Sequence, residues 1–296
     1  MHPMLSLLIP VYNEEGAVEA TIRSAHEALT KAGEEFEILV IEDGSSDRSS
    51  EILKSITLPH VRVVHHPVNR GYGASLKTGI RRSKGELIAT TDADGTYPVG
   101  ELPAMLKVLR AQEADMVIGA RTKKGVQIPL IRRPAKAIVS LLANILTGMK
   151  IPDVNSGLRV CKREVAEKFM HLYPQRFSFA MTITLAALTS DYIVIFHPID
   201  YFKRTGKSSL SSGLNGVRNF IGFLGIVVRI ITYFRPIKFF AWPSVLLVLG
   251  GLGMIARTVQ VDRNVSDAGL LLLLTGIQIG LFGLLAEVVV RSRQGN

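Results

Sequence analysis

The stretch Leu87–Pro98, LIATTDADGTYP, begins as an apolar, strand-like run and then sets two carboxylates one residue apart before a glycine and a proline. Similar runs occur at Met4–Pro10, Phe36–Glu42 and Val61–His65 before it and at Met116–Gly119 after it; the run around the quoted stretch is Glu86–Thr91. Between them the apolar spacing predicts helices at about 16–32, 48–56, 73–83 and 100–111, with Ser45, Ser46 and Asp47 available to cap the second. This alternation predicts a βαβ series on a mainly parallel sheet. Ligands of such sheets collect beyond the carboxyl ends of the strands. Four polar segments fall there, PVYNEE, EDGSSD, HPVNRGYG and DADGTYP, so one cleft can gather all four.

The chain has 296 residues and 47% hydrophobic content, enough for a sizeable core and incompatible with disorder. The last sixty residues are far more apolar than the rest. Phe239–Ala256 is 18 residues without a charge, and Ala268–Val290 is 23 residues whose only charge is Glu287. As helices they reach about 27 and 34 Å, against a hydrocarbon core of roughly 30 Å. With the polar connector RTVQVDRNVSD between them they predict a transmembrane hairpin. The expected divisions are residues 1–212 for the catalytic domain, 213–236 for a juxtamembrane interfacial helix and 237–296 for the hairpin. Arg218, Arg229, Arg235, Lys238, Arg291 and Arg293 flank the spans on the domain side, against Arg257 and Arg263 in the connector. That asymmetry predicts an integral membrane protein with the domain and both termini in the cytoplasm. The N-terminus MHPMLSLLIPVYNEE lacks the build of a signal peptide. The single cysteine, Cys161, excludes an internal disulfide and agrees with a reducing compartment.

Thirty-five Lys and Arg against 25 Asp and Glu give a net charge of +10, compatible with anionic lipid, an anionic small substrate or nucleic acid. No zinc-finger spacing, recognition-helix signature or aromatic ribonucleoprotein motif is present, so nucleic acid is not the expected partner. The basic run RTKKGVQIPLIRRPAK at 121–136 leads into the helical AIVSLLANILTGM, which suits a membrane surface and equally a core helix fed by a solvated loop; Leu214–Phe234 reads as an interfacial segment, with a third transmembrane helix as the alternative. No zinc site is expected from the scattered histidines, since the adjacent His65 and His66 point to opposite strand faces. GYGASLKT fails as a phosphate-binding Walker loop because Leu76 precedes Lys77, and no Gly-X-Ser-X-Gly elbow occurs.

Two aspartates spaced Asp-X-Asp at a strand end repel one another unless a cation lies beside them. Their hard oxygens suit Mg²⁺ or Mn²⁺, which complete their shells with water and substrate phosphate. Asp92 and Asp94 are therefore the candidate ligands, on one face if the strand geometry continues.

LSLLIPVYNEE, ILVIEDGSSDRS, NRGYGASLKTG, DADGTYP and VIGARTKKG, in this order, resemble the pattern of glycosyltransferase family 2 on an α/β GT-A fold, a Rossmann-like, mainly parallel sheet. The resemblance covers about residues 4–210 and is strongest to the polyprenyl-phosphate hexose synthases, among them dolichol-phosphate mannose and glucose synthases. It implies that Pro10, Tyr12, Glu14 and Asp43 hold the nucleoside, that Asn69 and Gly71 close on the nucleotide side, and that Asp92 and Asp94 bind the metal and donor. Glu42 replaces the first acid of the family's usual Asp-Asp pair and is expected to be structural. Thr96 stands where mannose synthases often have a glutamine that helps ligate the ion, which leaves the sugar open. The resemblance further implies that Arg121, joined by Arg132 or Arg133, meets the acceptor phosphate, and that Arg204 in YFKRTGKSSL contacts the donor diphosphate, assisted by Lys207 and Ser208. Lys136 belongs with the same acceptor-side charges. Asp94 and Arg204 are the expected catalytic pair. Asp153 in DVNSGLRVCKRE is read as structural.

A polyprenyl phosphate is already anionic and needs no base, only relief of its repulsion from the donor diphosphate. The family resemblance implies single displacement with inversion, so the expected function is a membrane-anchored, metal-dependent, inverting hexosyltransferase that uses a UDP- or GDP-sugar and a polyprenyl or dolichyl phosphate. The alternatives are a family 2 transferase to a glycan or other lipid, and a non-catalytic membrane-bound protein that binds nucleotide sugars. Two helices make poor material for a polysaccharide channel, and the acids present at 43, 92 and 94 speak against a degenerate domain. A hairpin of this size can also pack between protomers of a homo-oligomer.

Overall fold

A computed structural model of the chain describes residues 4–123, 144, 148–175, 178–204, 225 and 236–294. Among these the strands are β1 (Leu5–Val11), β2 (Phe36–Glu42), β3 (Val61–His65), β4 (Leu87–Thr90), β5 (Met116–Ala120), β6 (Arg159–Lys162) and β7 (Val194–Pro198). The helices are α1 (Val18–Lys31), α2 (Ser49–Ser55), α3 (Tyr72–Arg82), α4 (Leu102–Ala111), α5 (Arg163–Lys168), α6 (Phe179–Thr189), α7 (Pro236–Asp262) and α8 (Asp267–Gln294). The strands form one sheet in the order β3-β2-β1-β4-β6-β5-β7. From β1 the chain steps outward through β2 to β3 and then returns to β4 on the other side of β1. The reversal opens a crevice between the carboxyl ends of β1 and β4, where such sheets take their ligands.

Every residue of β1, β2, β4 and β5 is buried, as strands covered on both faces must be. Leu5, Leu7, Ile9 and Val11 pack with Val18, Ile22, Ala25 and Leu29 of α1 and with Met105 and Leu106 of α4. The alternate residue Leu8 faces α3, where Gly79 lets the helix close on Leu8 and Ile41. Pro10 costs no ladder bond: it lies two residues beyond Leu8, the last β1 residue paired with β4, on the same edge of the strand.

The start of α3 is equally crowded. A Cβ on Gly73 would overlap the Pro174 carbonyl oxygen, a backbone atom that cannot turn aside, and the next amide, of Ala74, donates to Gln175 O at 2.8 Å. Gly73→Ala is expected to destabilise the chain by about 1–3 kcal/mol, seen as a lowered melting temperature of the detergent-solubilised protein.

The mixed α/β sheet matches the expected fold class, and the five expected strands all form. The sheet departs from a parallel one at β6, which runs antiparallel between β4 and β5. Its four residues, RVCK, lie in a stretch read only for its acid; so short a run with a charged first residue carries no period. Arg159 is nonetheless fully buried, because its guanidinium donates to the carbonyl oxygens of Ala180 (2.8 Å) and Ser156 and to Thr184 Oγ1 (3.1 Å).

The chain separates into two compact units, Met1–Phe223 and Leu224–Asn296. The expected boundary after residue 212 and the interfacial segment Leu214–Phe234 fall almost wholly outside the described residues, as does most of the basic run with its following helix. In the second unit α7 and α8 form the hairpin, each long and apolar enough to cross a membrane, over Phe239–Val261 and Asp267–Val290. Gly251, Gly269 and Gly276 permit close approach of the two backbones, and Ser244 Oγ donates to Gly276 O at 2.7 Å. Trp242, Leu246, Leu271 and Phe282 are exposed, an arrangement suited to lipid. The first helix continues through Arg257–Asp262, which had been assigned to the polar connector: a helix propagates at one backbone bond per residue whatever the polarity of its exposed side chains.

Candidate active site

The loops that follow β1 and β2 are laced together at the crevice. Asn13, in the left-handed region (φ 56°), accepts the Ser46 amide at 2.8 Å, and its own amide donates to Ser45 Oγ at 3.1 Å. The Glu14 amide donates to Ser49 Oγ at 2.9 Å. Glu42, expected to be structural, accepts the Ser45 amide at 2.6 Å in the turn after β2. Tyr12 remains exposed beside these loops, while Pro10 is buried within β1.

Asp43 is buried and both of its carboxylate oxygens take hydrogen-bond partners. Oδ1 accepts the Arg70 amide at 3.0 Å and lies 2.6 Å from His66 Nδ1; Oδ2 accepts the Gly71 amide at 2.7 Å. His66 is held from its other nitrogen by Thr78 Oγ1 at 3.0 Å. Gly71 adopts φ 98°, a left-handed conformation that favours glycine, and so turns its amide onto Asp43 at the entrance to α3. The loop carrying Asn69 and Gly71 is thereby fixed to Asp43, and the Asn69 side chain is exposed.

At the end of β4, Thr96 donates twice to Asp94 Oδ1, from its amide at 3.1 Å and from its hydroxyl at 2.6 Å. Asp94 Oδ2 is left facing Arg204 Nη1 at 3.6 Å, and Arg204 Nη2 pairs with Glu14. Asp92 Oδ1 accepts the Tyr72 hydroxyl at 2.8 Å. Gly157 supplies the space for this carboxylate, since a Cβ there would lie 2.9 Å from both its oxygens. Burial, then the charge of Asp94, pushes the Asp92 carboxyl up to about 6. Burial pushes Glu14 up to about 7, against the opposing pull of Arg204 and with the help of Asp94 and Asp92. Burial, followed by the charge of Asp92, raises Tyr72 well above its ordinary value, so its hydroxyl remains a donor. Four carboxyl or cationic groups expected from three distant segments, Glu14, Asp92, Asp94 and Arg204, thus form one cluster at the crevice.

Arg204 reaches it because the segment after β7 is tied down. The Phe202 amide donates to Thr96 O at 2.9 Å, and the Tyr201 ring packs edge-on against Tyr97 at 5.3 Å. Arg121 lies over the other side of this assembly, its guanidinium 5.1 Å from the Tyr201 ring. It is also paired with Asp153, through Nε at 2.6 Å and Nη2 at 2.9 Å. Burial works against the Arg121 charge, but the Asp153 hydrogen bonds together with the charges of Tyr97, Asp153 and Tyr201 hold the guanidinium above its ordinary value. Asp153, read as structural, is therefore the anchor of Arg121. Arg132, Arg133, Lys136, Lys207 and Ser208 lie outside the described residues. Tyr72 and Tyr97 join the site without a role expected for them, and His66, weighed only against a zinc site, joins it through Asp43; the signal for Tyr72 is its place beside Gly71 in NRGYG.

The oxygens of Asp92, Asp94 and Thr96 are all hard donors and fit Mg²⁺ or Mn²⁺ rather than a softer metal. Among the described residues no group of three or more His, Cys, Asp or Glu side chains converges on one point. Such a donor set suits an ion whose remaining positions go to water and a substrate phosphate. The arrangement sets hard carboxylate and hydroxyl oxygens beside the Arg204 guanidinium, so that a cation and a fixed positive charge could both meet an anionic leaving group.

Comparison with known proteins shows the family and the fold. Residues 6–170 match the model of glycosyl transferase family 2, and residues 235–291 match that of the GtrB C-terminal hairpin. The low-salt glycan biosynthesis hexosyltransferase Agl6 of Haloferax volcanii is 30% identical over 97% of this chain and 69% of its own length. An undecaprenyl-phosphate 4-deoxy-4-formamido-L-arabinose transferase of Edwardsiella ictaluri is 32% identical over 57% of this chain, a match that spans only 52% of that protein. Glucosyl-3-phosphoglycerate synthase from Mycobacterium tuberculosis, solved with Mn²⁺, UDP-glucose and phosphoglyceric acid, shares the fold with a TM-score of 0.59 at 17% identity, over 78% of this chain and 80% of the other. S. aureus TarS 1-349 with UDP does so with a TM-score of 0.57 at 15% identity, over 99% and 92%. With its family match running through β1, β4 and the carboxylates of the crevice, and a relative similar over nearly its whole length, this chain is a glycosyltransferase of family 2 with a GtrB-type hairpin.

Proposed function

We propose that the protein is a membrane-anchored, inverting hexosyltransferase that moves a sugar from a nucleoside diphosphate to a polyprenyl phosphate. The observation that carries the proposal is the Glu14, Asp92, Asp94 and Arg204 cluster at the reversal of the sheet, in a chain that also has two helices apolar enough to anchor it. An acceptor phosphate oxygen attacks the anomeric carbon while the bond from that carbon to the diphosphate oxygen breaks; the nucleoside diphosphate leaves with the electron pair. The acceptor is already an anion, so no side chain has to remove a proton. Asp92 and Asp94, with Thr96 beside them, would hold Mg²⁺ or Mn²⁺, which supplies Lewis-acid neutralisation of the leaving diphosphate when bound. Arg204 adds a fixed positive charge on the same oxygens. Asp43, with the Asn69–Gly71 loop, Pro10, Tyr12 and Glu14, forms the nucleoside side. Arg121, held in place by Asp153, with Arg132, Arg133 and Lys136, offsets the acceptor charge. The relatives' names support a lipid-phosphate acceptor, and the basic residues flanking the hairpin support a cytoplasmic catalytic unit.

The test is a panel of radiolabelled UDP- and GDP-sugars with a polyprenyl phosphate and Mg²⁺ or Mn²⁺. Label is expected in the organic phase as a sugar phospholipid. Label in a glycan or polymer fraction instead would overturn the acceptor assignment, and donor binding without any turnover would overturn the enzyme reading.

A further inference from the structure

Asp92 is gripped by a residue from a different part of the sheet. Tyr72 opens α3, 20 positions earlier in the chain, and its hydroxyl donates to Asp92 Oδ1 at 2.8 Å. The tyrosine is itself fixed from both sides. Immediately before it, the Gly71 amide donates to Asp43 Oδ2 at 2.7 Å; two residues after it, the Ala74 amide donates to Gln175 O at 2.8 Å. Gly157 also approaches both Asp92 oxygens, so closely that a Cβ there would lie 2.9 Å from each. The carboxylate thus touches a phenol and a bare backbone, with Oδ1 occupied and Oδ2 taking no hydrogen bond among those described. Asp94 has the same division of labour, Oδ1 held by Thr96 and Oδ2 turned to the cluster.

We infer that Tyr72 is a positioning residue for the divalent cation: it fixes the rotamer of Asp92 so that Oδ2 is presented to the ion. This rests on the proposed metal role of Asp92. An outer partner that orients a metal-bound carboxylate usually affects affinity by about 10–100-fold. The phenol, supplied by the helix whose preceding residue holds Asp43, also ties the geometry of the metal carboxylate to that of the nucleoside side.

Tyr72→Phe removes one oxygen and keeps the ring. Mn²⁺ binding to the full-length, detergent-solubilised protein is measured by electron paramagnetic resonance in the presence of UDP, and UDP binding without metal by calorimetry. The expected result is a Mn²⁺ dissociation constant raised about 10-fold with metal-free UDP binding at the wild-type level. An unchanged Mn²⁺ constant overturns the inference, and so does a parallel loss of Mn²⁺ and metal-free UDP binding, which would make Tyr72 a support of the loop alone. Asp92→Ala serves as the separate control. If it binds Mn²⁺ like the wild type, the metal reading of Asp92 itself fails, whatever Tyr72→Phe does.

Discussion

Asp94→Ala is expected to abolish transfer, with kcat/KM reduced about a thousandfold or more while the chain still folds. A thousandfold corresponds to roughly 4 kcal/mol of transition-state stabilisation, the scale of losing a properly placed cation at a developing oxyanion. The side chain is small and sits in a turn, so the substitution leaves the buried strands intact. It does free the Thr96 hydroxyl and amide, both of which donate to Asp94 Oδ1. Transfer of labelled sugar to lipid, alongside a thermal melt, checks the two parts separately. Activity within tenfold of wild type at saturating Mg²⁺ or Mn²⁺ would remove Asp94 from the proposed site.

Arg204→Gln is the second large effect, and its two consequences have opposite signs. The guanidinium pairs with Glu14 and lies 3.6 Å from Asp94 Oδ2, so it neutralises part of the cluster that the metal would occupy. Without it kcat should fall about a hundredfold, the usual scale for one fixed donor at a leaving oxyanion. Metal binding to the donor-free protein should instead tighten several-fold, because a competing positive charge has gone from beside Asp94. The Glu14 carboxyl, already pushed up to about 7 chiefly by burial, should rise further, since Arg204 is the group that pulls it down. Single-turnover kinetics read the first effect and Mn²⁺ titration without nucleotide reads the second. Arg204→Lys is not expected to restore the rate, because an ammonium lacks the planar fork that can address Glu14 and Asp94 together.

Much of the first unit was legible from pattern. The apolar runs at 36–42 and 61–65 are strands with those limits, and β1, β4 and β5 shift by only one or two residues. A fully buried strand announces itself by continuous apolar residues, and the four helices between them by their spacing. Strand β6 was not legible, because its pairing with β4 and β5 is the only thing that makes Arg159–Lys162 extended. The polarity of Arg257–Asp262 likewise concealed a helical continuation.

At the site, sequence nominated the individual residues and left their partners unstated. Glu14 and Arg204 are 190 positions apart, Tyr72 and Asp92 are 20, and Arg121 and Asp153 are 32. The Asp-X-Asp spacing is local, so the pair proposed to hold a cation could be read directly, as could the length and apolarity of the two C-terminal helices. Which oxygen of Asp94 is held, that Asp92 is backed by a tyrosine and a bare glycine, and that Arg121 is anchored by Asp153 all depend on which strand lies beside which. Periodicity and spacing report the chain's local preferences for strand, helix and turn; the partners of a buried charge are chosen by the order of the sheet.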